Sequence, residues 1–378
     1  MTTLGSACEV IAGQSPEGIH YNQNGVGEPF YQGKKEFGDR FVGVATTWTT
    51  RVTKQANSGD IVMSVRAPVG PVNILRSSAC IGRGLAAIRP RSGVDRDFIY
   101  YQLQAMQNQI AGTEGAVFAS INKSQIEALP IWLPPLVEQQ RIVAKLEALL
   151  PEIEHGLSLV AQAQAKNDDV VLSSLAEMFQ RHGASPSKSY GEVAELSLGK
   201  MLDRKKATGR HPTPYLRNVN VRWGVFDTSD VMEMDITPSE LDRVSVRRGD
   251  VVVCEGGEPG RCAVWREERS MAIQKALHRM RPKPGMDSDY LALNLEYQIK
   301  CGTAKELFTG TTIKHLTGEK LQVMTLPVPP LREQREAVAH LKAVRDGADA
   351  LRSVADARRR TLVAMRLSVL AAAFRGDL

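Results

Sequence analysis

Pro134-Pro135-Leu136-Val137-Glu138-Gln139 returns as Pro329-Pro330-Leu331-Arg332-Glu333-Gln334. The correspondence continues without a gap: Val143 falls on Val338, Leu146 on Leu341, Leu172 on Leu367, Ser173 on Ser368, Leu175 on Leu370 and Phe179 on Phe374. Looser echoes precede each copy. Gly59-Asp60-Ile61-Val62 answers to Gly249-Asp250-Val251-Val252, Arg89-Pro90 to Arg281-Pro282, and Pro29-Phe30-Tyr31 to Pro214-Tyr215-Leu216. The chain is therefore an internal repeat in the order globule, helix, globule, helix. This divides it into residues 1–133, 134–182, 183–328 and 329–378. The helices match better than the globules, which suits two similar heads doing related but different jobs at a fixed separation.

Both matched segments carry apolar residues at alternating steps of three and four, the seam of an amphipathic helix. In the first the seam includes Leu136, Ile142, Leu146, Leu149, Ile153 and Leu157; in the second Leu331, Val338, Leu341, Val344, Leu351 and Leu362. A proline pair precedes each and favours an extended approach with a sharp helix start. Each helix can run for more than forty residues, roughly 65 Å, and Pro151 should kink the first. A helix of that length cannot hide its stripe on a small globule, so a partner helix is required. Residues 134–181 carry four basic and seven acidic side chains, and residues 329–378 carry ten and six, so the two segments are electrically complementary. An antiparallel pair is the simple geometry, with the globules at opposite ends about a pseudo-twofold axis.

The whole chain has 378 residues, a net charge of +6 and 43% hydrophobic residues. It is long enough for two or three domains with real cores. No run of eighteen apolar residues suggests a membrane span, and the first residues lack the pattern of a signal peptide. The five scattered cysteines form no CxxC pair, which reads as reduced thiols in a cytoplasmic protein. The mild basic excess suits a polyanionic partner, and most of it sits on the globules.

The globules show short β-type runs, such as 60–65, 85–88 and 250–253, punctuated by Gly and Pro, with a shorter helical stretch near 97–109 and 289–300. The expected fold class is α+β: two mixed α/β domains with twisted sheets, separated by two long helices packed as an antiparallel coiled coil. Particular loops interleave polar, basic and aromatic residues. In the first globule these are Gln32, Lys34 and Lys35, together with Ser64 and Arg66; in the second they are Lys200, Arg204 and Lys205, then Arg217, Asn218, Asn220, Arg222 and Trp223. Arg, Lys, Asn and Gln read base edges or grip phosphate. Val219 and Val221 separate the polar residues of 217–222, so a period of two puts the polar groups on one face and the valines toward the core. A solvated charged loop is the bland alternative for any one cluster; matching clusters in two repeats favour nucleic acid.

Catalytic signatures are absent. There is no GxxxxGK[ST] phosphate loop and no GxGxxG opening a helix. Leu133-Pro134-Pro135-Leu136 has the prolines, but not the amide or aromatic, of the tetrapeptide that adenine methyltransferases use. The seven histidines make no metal-binding spacing.

Taken together, residues 133–143 and 326–335, the terminal Ser368–Leu378 and Gly13-Gln14-Ser15-Pro16 with Pro29-Phe30-Tyr31-Gln32-Gly33 resemble the specificity (S) subunit of type I restriction-modification systems, over essentially the whole chain. The resemblance implies a non-catalytic DNA-binding subunit whose two target-recognition domains, 1–133 and 183–328, each read one half of a split, asymmetric double-stranded site. The helical regions, 134–182 and 329–378, would act as spacer and as docking surface for two adenine methyltransferase (M) subunits. Motor-nuclease (R) subunits would complete the restriction enzyme. It also implies no cofactor in this chain, with S-adenosylmethionine, ATP and Mg belonging to the partners. The alternative from another class is a stand-alone two-headed DNA-binding regulator.

Overall fold

The computed structural model describes residues 1–111, 120–202, 209–310 and 314–378. The chain folds as two compact units, Met1–Ala161 with Asp356–Leu378, and Gln162–Ala355. The repeat in the sequence is a repeat in topology. In the first unit Cys8–Ala12, Leu85–Pro90, Ile61–Ser64 and Val72–Ile74 lie side by side in that order as an antiparallel sheet. In the second, Ala194–Leu198, Leu277–Pro282, Val251–Cys254 and Cys262–Val264 do the same. The central strands are buried on both faces, which explains the runs of Val, Ile and Ala in Ile61–Ser64, Leu85–Pro90 and Val251–Cys254; Leu277–Pro282 is the exception, with His278 and Arg279 buried in it.

A second sheet in each head contains one parallel pairing. Phe30 lies opposite Cys80 in the first head and Tyr215 opposite Ala272 in the second. The echo of Pro29-Phe30-Tyr31 in Pro214-Tyr215-Leu216 is therefore structural equivalence. Each head also closes on itself, through Thr2–Thr3 paired with Pro130–Ile131 and Ser187–Ser189 with Thr325–Pro327. A short helix follows each main sheet: α1 (Arg96–Ala105), capped by Asp95, and α3 (Ser288–Lys300), capped by Asp287.

The long helices are α2 (Leu136–Arg181) and α4 (Leu331–Arg375). The first runs on through Pro151, between Leu150 and Ile153, both of which are buried. Each head takes the beginning of one long helix and the end of the other into its core. In the first unit Ile142, Leu146, Leu370 and Ala373 join the head, and Phe374 packs edge-on against Phe98 of α1 at 5.3 Å. In the second, Leu175, Met178, Phe179 and Leu341 do so, and Phe179 lies 5.3 Å from Tyr290 of α3. Aromatic pairs at this spacing add to their burial.

Within each unit the two helices run antiparallel. In the first, Arg366 Nε meets Glu154 at 2.8 Å, and Leu362 packs over Gly156. In the second, Arg352 pairs with Asp168, and Asn167 donates to the Ala348 carbonyl at 2.7 Å. The acid comes from α2 and the base from α4 in both, as their opposite charges lead one to expect. Of the seam residues, Ile142, Leu146, Ile153 and Leu341 are buried, and Leu157, Leu331, Val338, Val344 and Leu362 are half-buried. Leu136, Leu149 and Leu351 are exposed, against the expectation that they pack. The seam passes from Leu146 to Leu150 and then Ile153, and in α4 through Ala348; a strict three-four count drifts off the true face because a straight helix turns every 3.6 residues. No helix among the described residues is long and apolar enough to cross a membrane.

Candidate nucleic-acid interface

Three turns far apart in sequence meet at one edge of each head. In the first head they are Gly13-Gln14-Ser15, Gln32-Gly33 and Gly82-Arg83-Gly84. The Gln14 amide donates to the Ile81 carbonyl at 2.9 Å, Gly82 N to Tyr31 O at 2.8 Å, Gly84 N to Gln32 O at 3.2 Å and Arg83 N to Ser15 Oγ at 3.2 Å. In the second head the same ladder is made by Gly199-Lys200, Leu216-Arg217 and Gln274-Lys275. Lys200 N donates to Ile273 O at 2.8 Å, Gln274 N to Leu216 O at 3.0 Å and Lys275 N to Lys200 O at 2.9 Å. Gly13 and Gly199 are equivalent, and at both a side chain would collide with a backbone carbonyl, of Gly82 and Gln274 respectively. Only glycine allows the turns to close so tightly.

The scaffold is shared and the side chains on it are not. The first head presents Gln14, Gln32 and Arg83, with Lys34 and Lys35 on the following turn; Gln32, Lys34, Lys35 and Arg83 are exposed. The second presents Lys200, Arg217 and Lys275. Here Lys200 Nζ holds Glu240 at 2.6 Å, and this contact, with hydrogen bonds from Thr237, keeps the Glu240 carboxyl down at about 2. No local sequence pattern marks Arg83 or Lys275. Each lies in the turn that follows the parallel strand of its head, and only that pairing brings it beside Gln32 or Arg217.

The other candidates fall differently. Arg66 is exposed, but Ser64 is buried and its hydroxyl donates to the Arg66 carbonyl at 3.1 Å. Ser64 shapes the turn and does not face solvent. Arg204 and Lys205 lie outside the described residues. The expectation of an extended, alternating stretch over 217–222 is corrected: Asn218–Asn220 is a turn of 3-10 helix. Val219 is 52% exposed, whereas Asn220 is buried. The Asn220 carboxamide accepts from Arg217 N at 2.8 Å and donates to the carbonyls of Asp227 and Asp230 at 2.9 and 2.8 Å. These bonds satisfy every capacity but one of a buried amide, and they outweigh the period-two pattern.

Arg217 Nη2 reaches Asp230 Oδ2 at 2.6 Å, and Asn218 Nδ2 donates to Gly256 O at 2.6 Å. Arg217 Nε and Asn218 Oδ1 have no hydrogen-bond partner among the described residues. Arg222 is exposed. Trp223 leans back on the head, donating to Glu258 at 2.6 Å with Lys300 Nζ 5.3 Å from its ring. Among the described residues no His, Cys, Asp and Glu cluster could hold a metal ion.

Known proteins share this architecture. The chain superposes over its full length on a chain solved in work on complex assembly and conformational transition of a type I R-M system, with a TM-score of 0.79, 21% identity and 97% of that chain covered. The HsdS subunit from Thermoanaerobacter tengcongensis gives 0.55 at 21% identity, with 100% of this chain and 96% of that one covered. In sequence, 148 residues are 43% identical to a Methanocaldococcus jannaschii protein provisionally assigned as the type I restriction enzyme MjaX specificity subunit, spanning 39% of this chain and 35% of that protein. Against the EcoKI specificity subunit of Escherichia coli (strain K12) the identity is 23% over 324 residues, 79% of this chain and 68% of the relative. The family model described as the type I restriction modification DNA specificity domain matches residues 1–161 and again 187–353, and the chain belongs to that family.

Proposed function

We propose that the chain is the DNA-reading subunit of a type I restriction-modification complex. Each head reads one half of a split, asymmetric double-stranded site, and the paired helices set the gap and carry the adenine methyltransferase and motor-nuclease subunits. The observation that supports this reading best is the duplicated three-turn edge. One backbone scaffold carries Gln14, Gln32 and Arg83 in one head and Lys200, Arg217 and Lys275 in the other, as two readers of unlike half-sites require. Arg83 and Lys275 thus join Lys34, Lys35 and Arg66 as candidate phosphate or base contacts. Catalysis, S-adenosylmethionine, ATP and Mg belong in this reading to the partner subunits, and the complex works in the cytoplasm.

The test is to co-express the chain with its cognate methyltransferase subunit and map methylated adenines by single-molecule sequencing. A two-part motif with a fixed gap is expected. Exchanging residues 1–133 for the same region of a relative should alter one half only. A change in both halves, or a continuous motif, would contradict it.

A further inference from the structure

The residue that ends the repeated hexapeptide is buried in both copies, Gln139 at 1% exposure and Gln334 at 0%. Each is in the first turns of its long helix, and each spends both ends of its carboxamide on the head. Gln139 Oε1 accepts from the Asp95 amide at 2.8 Å, and Gln334 Oε1 from the Asp287 amide at 2.8 Å. Gln139 Nε2 donates to the carbonyls of Pro134 at 2.8 Å and Gly93 at 3.4 Å; Gln334 Nε2 donates to Pro329 at 2.8 Å and Gly285 at 2.9 Å. Gly93 and Gly285 have φ of +80° and +91°, which turns each carbonyl toward the glutamine. Asp95 and Asp287 are the N-caps of α1 and α3. One side chain thus ties three things together: the proline approach, the start of the long helix and the start of the head's short helix. A buried amide with all its groups engaged admits a single orientation, because any rotation between the parts strands polar atoms away from water.

We propose that Gln139 and Gln334 are positioning residues, which fix the angle of each head on its long helices and thereby restrict the gap tolerated between half-sites. This rests on the functional reading above. The side chains are too deep to touch DNA, so their effect should fall on spacing and not on which bases are read.

The full chain is produced with its cognate methyltransferase, and the half-sites of the unsubstituted complex are mapped by sequencing methylated DNA. A plasmid library then presents those half-sites at every gap within a few base pairs of the native one. The unsubstituted complex should methylate the native gap strongly over its neighbours. Gln334→Leu removes the amide and strands the Asp287 N–H, and should lower that preference about tenfold, leaving the bases of both half-sites unchanged. Gln139→Leu should act alike. Gln334→Met has nearly the volume and shape of glutamine and removes the same hydrogen bonds with little loss of packing; it guards against a variant that fails to fold and should broaden the gap in the same direction. A uniform drop in methylation with the preference for the native gap unchanged would make the glutamines stabilising only and overturn the proposal. Altered half-site bases would overturn it too. If the unsubstituted complex shows no two-part motif, the functional reading itself fails, whatever the variants do.

Discussion

Arg281 grips Asp250 through two nitrogens, Nε to Oδ1 at 2.9 Å and Nη2 to Oδ2 at 2.8 Å. Arg89 holds Asp60 the same way in the first head, at 3.0 and 2.8 Å. Both aspartates are buried, and each also accepts from a nearby backbone amide, Arg247 N at 2.9 Å and Asn57 N at 2.7 Å. The carboxylate closes the turn before one central strand, and the arginine lies on the neighbouring strand. Removing one partner of a buried pair leaves the other charge unmatched, at about 3–5 kcal/mol. Asp250→Ala and Arg281→Ala should each lower stability by about that much in urea denaturation. The double substitution should cost clearly less than the two losses added together. Strict additivity would mean that the pair contributes nothing as a pair.

Two leucines of α4 separate packing from mere periodicity. Leu341 is 1% exposed and lies in the core of the second head, whereas Leu351 is 62% exposed. Leu341→Ala should cost about 2–5 kcal/mol. Leu351→Ala should change stability by no more than about 0.5 kcal/mol. Thermal melts of the two variants side by side check this, and equal losses would mean that Leu351 is covered.

What the sequence reveals is what the repeat preserves. Gln139 with Gln334, Asp60 with Asp250 and Arg89 with Arg281 recur because each makes the same contacts in each half. Leu146, Leu341, Leu175 and Leu370 recur because each is a buried helix-to-head contact. The long helices are legible because one periodicity persists over tens of residues. The candidate interface is less legible for two reasons. Gln14, Gln32 and Arg83 become neighbours only through the parallel pairing of Phe30 with Cys80, which local pattern does not encode. Over 217–222 the polar-apolar alternation imitates a strand, yet the Asn220 side chain supplies the hydrogen bonds that curl the chain into a turn.

Acid should weaken the second head through its histidine. His278 is buried, and burial pushes its pKa below the usual value, against the opposing pull of Glu255 at 3.7 Å and a backbone bond at Leu316. The folded state therefore favours the neutral ring, while the unfolded chain takes up a proton near pH 6.5. Stability is unaffected by this group above that pH and is lost as pH falls from there through the lower folded value. His182, also pushed down by burial, contributes with the same sign. The melting temperature should drop from about pH 7 to pH 5, and His278→Gln should flatten the slope. An unchanged slope would assign the acid sensitivity to other groups.

Asn220 and Arg222, two residues apart, should fail in opposite ways. Asn220→Ala strands the Arg217 amide and removes the bonds to the carbonyls of Asp227 and Asp230, the second of which keeps Arg217 Nη2 at 2.9 Å. It should cost about 1–3 kcal/mol, the range for a buried group left without its partner. It should lower methylation generally while leaving the motif intact. Arg222 is exposed beside the same turn. Arg222→Ala should leave the melt within about 0.5 kcal/mol, but weaken DNA binding. If the guanidinium holds phosphate, affinity falls alike on all sequences and the salt slope drops by about one. If it holds a base edge, one position of the second half-site relaxes, by about 1–3 kcal/mol of discrimination. Melts, salt titrations of the assembled complex and methylation mapping together separate these outcomes. A stable Asn220→Ala variant with a relaxed motif would show that Asn220 reads DNA after all, and that its three hydrogen bonds break on binding.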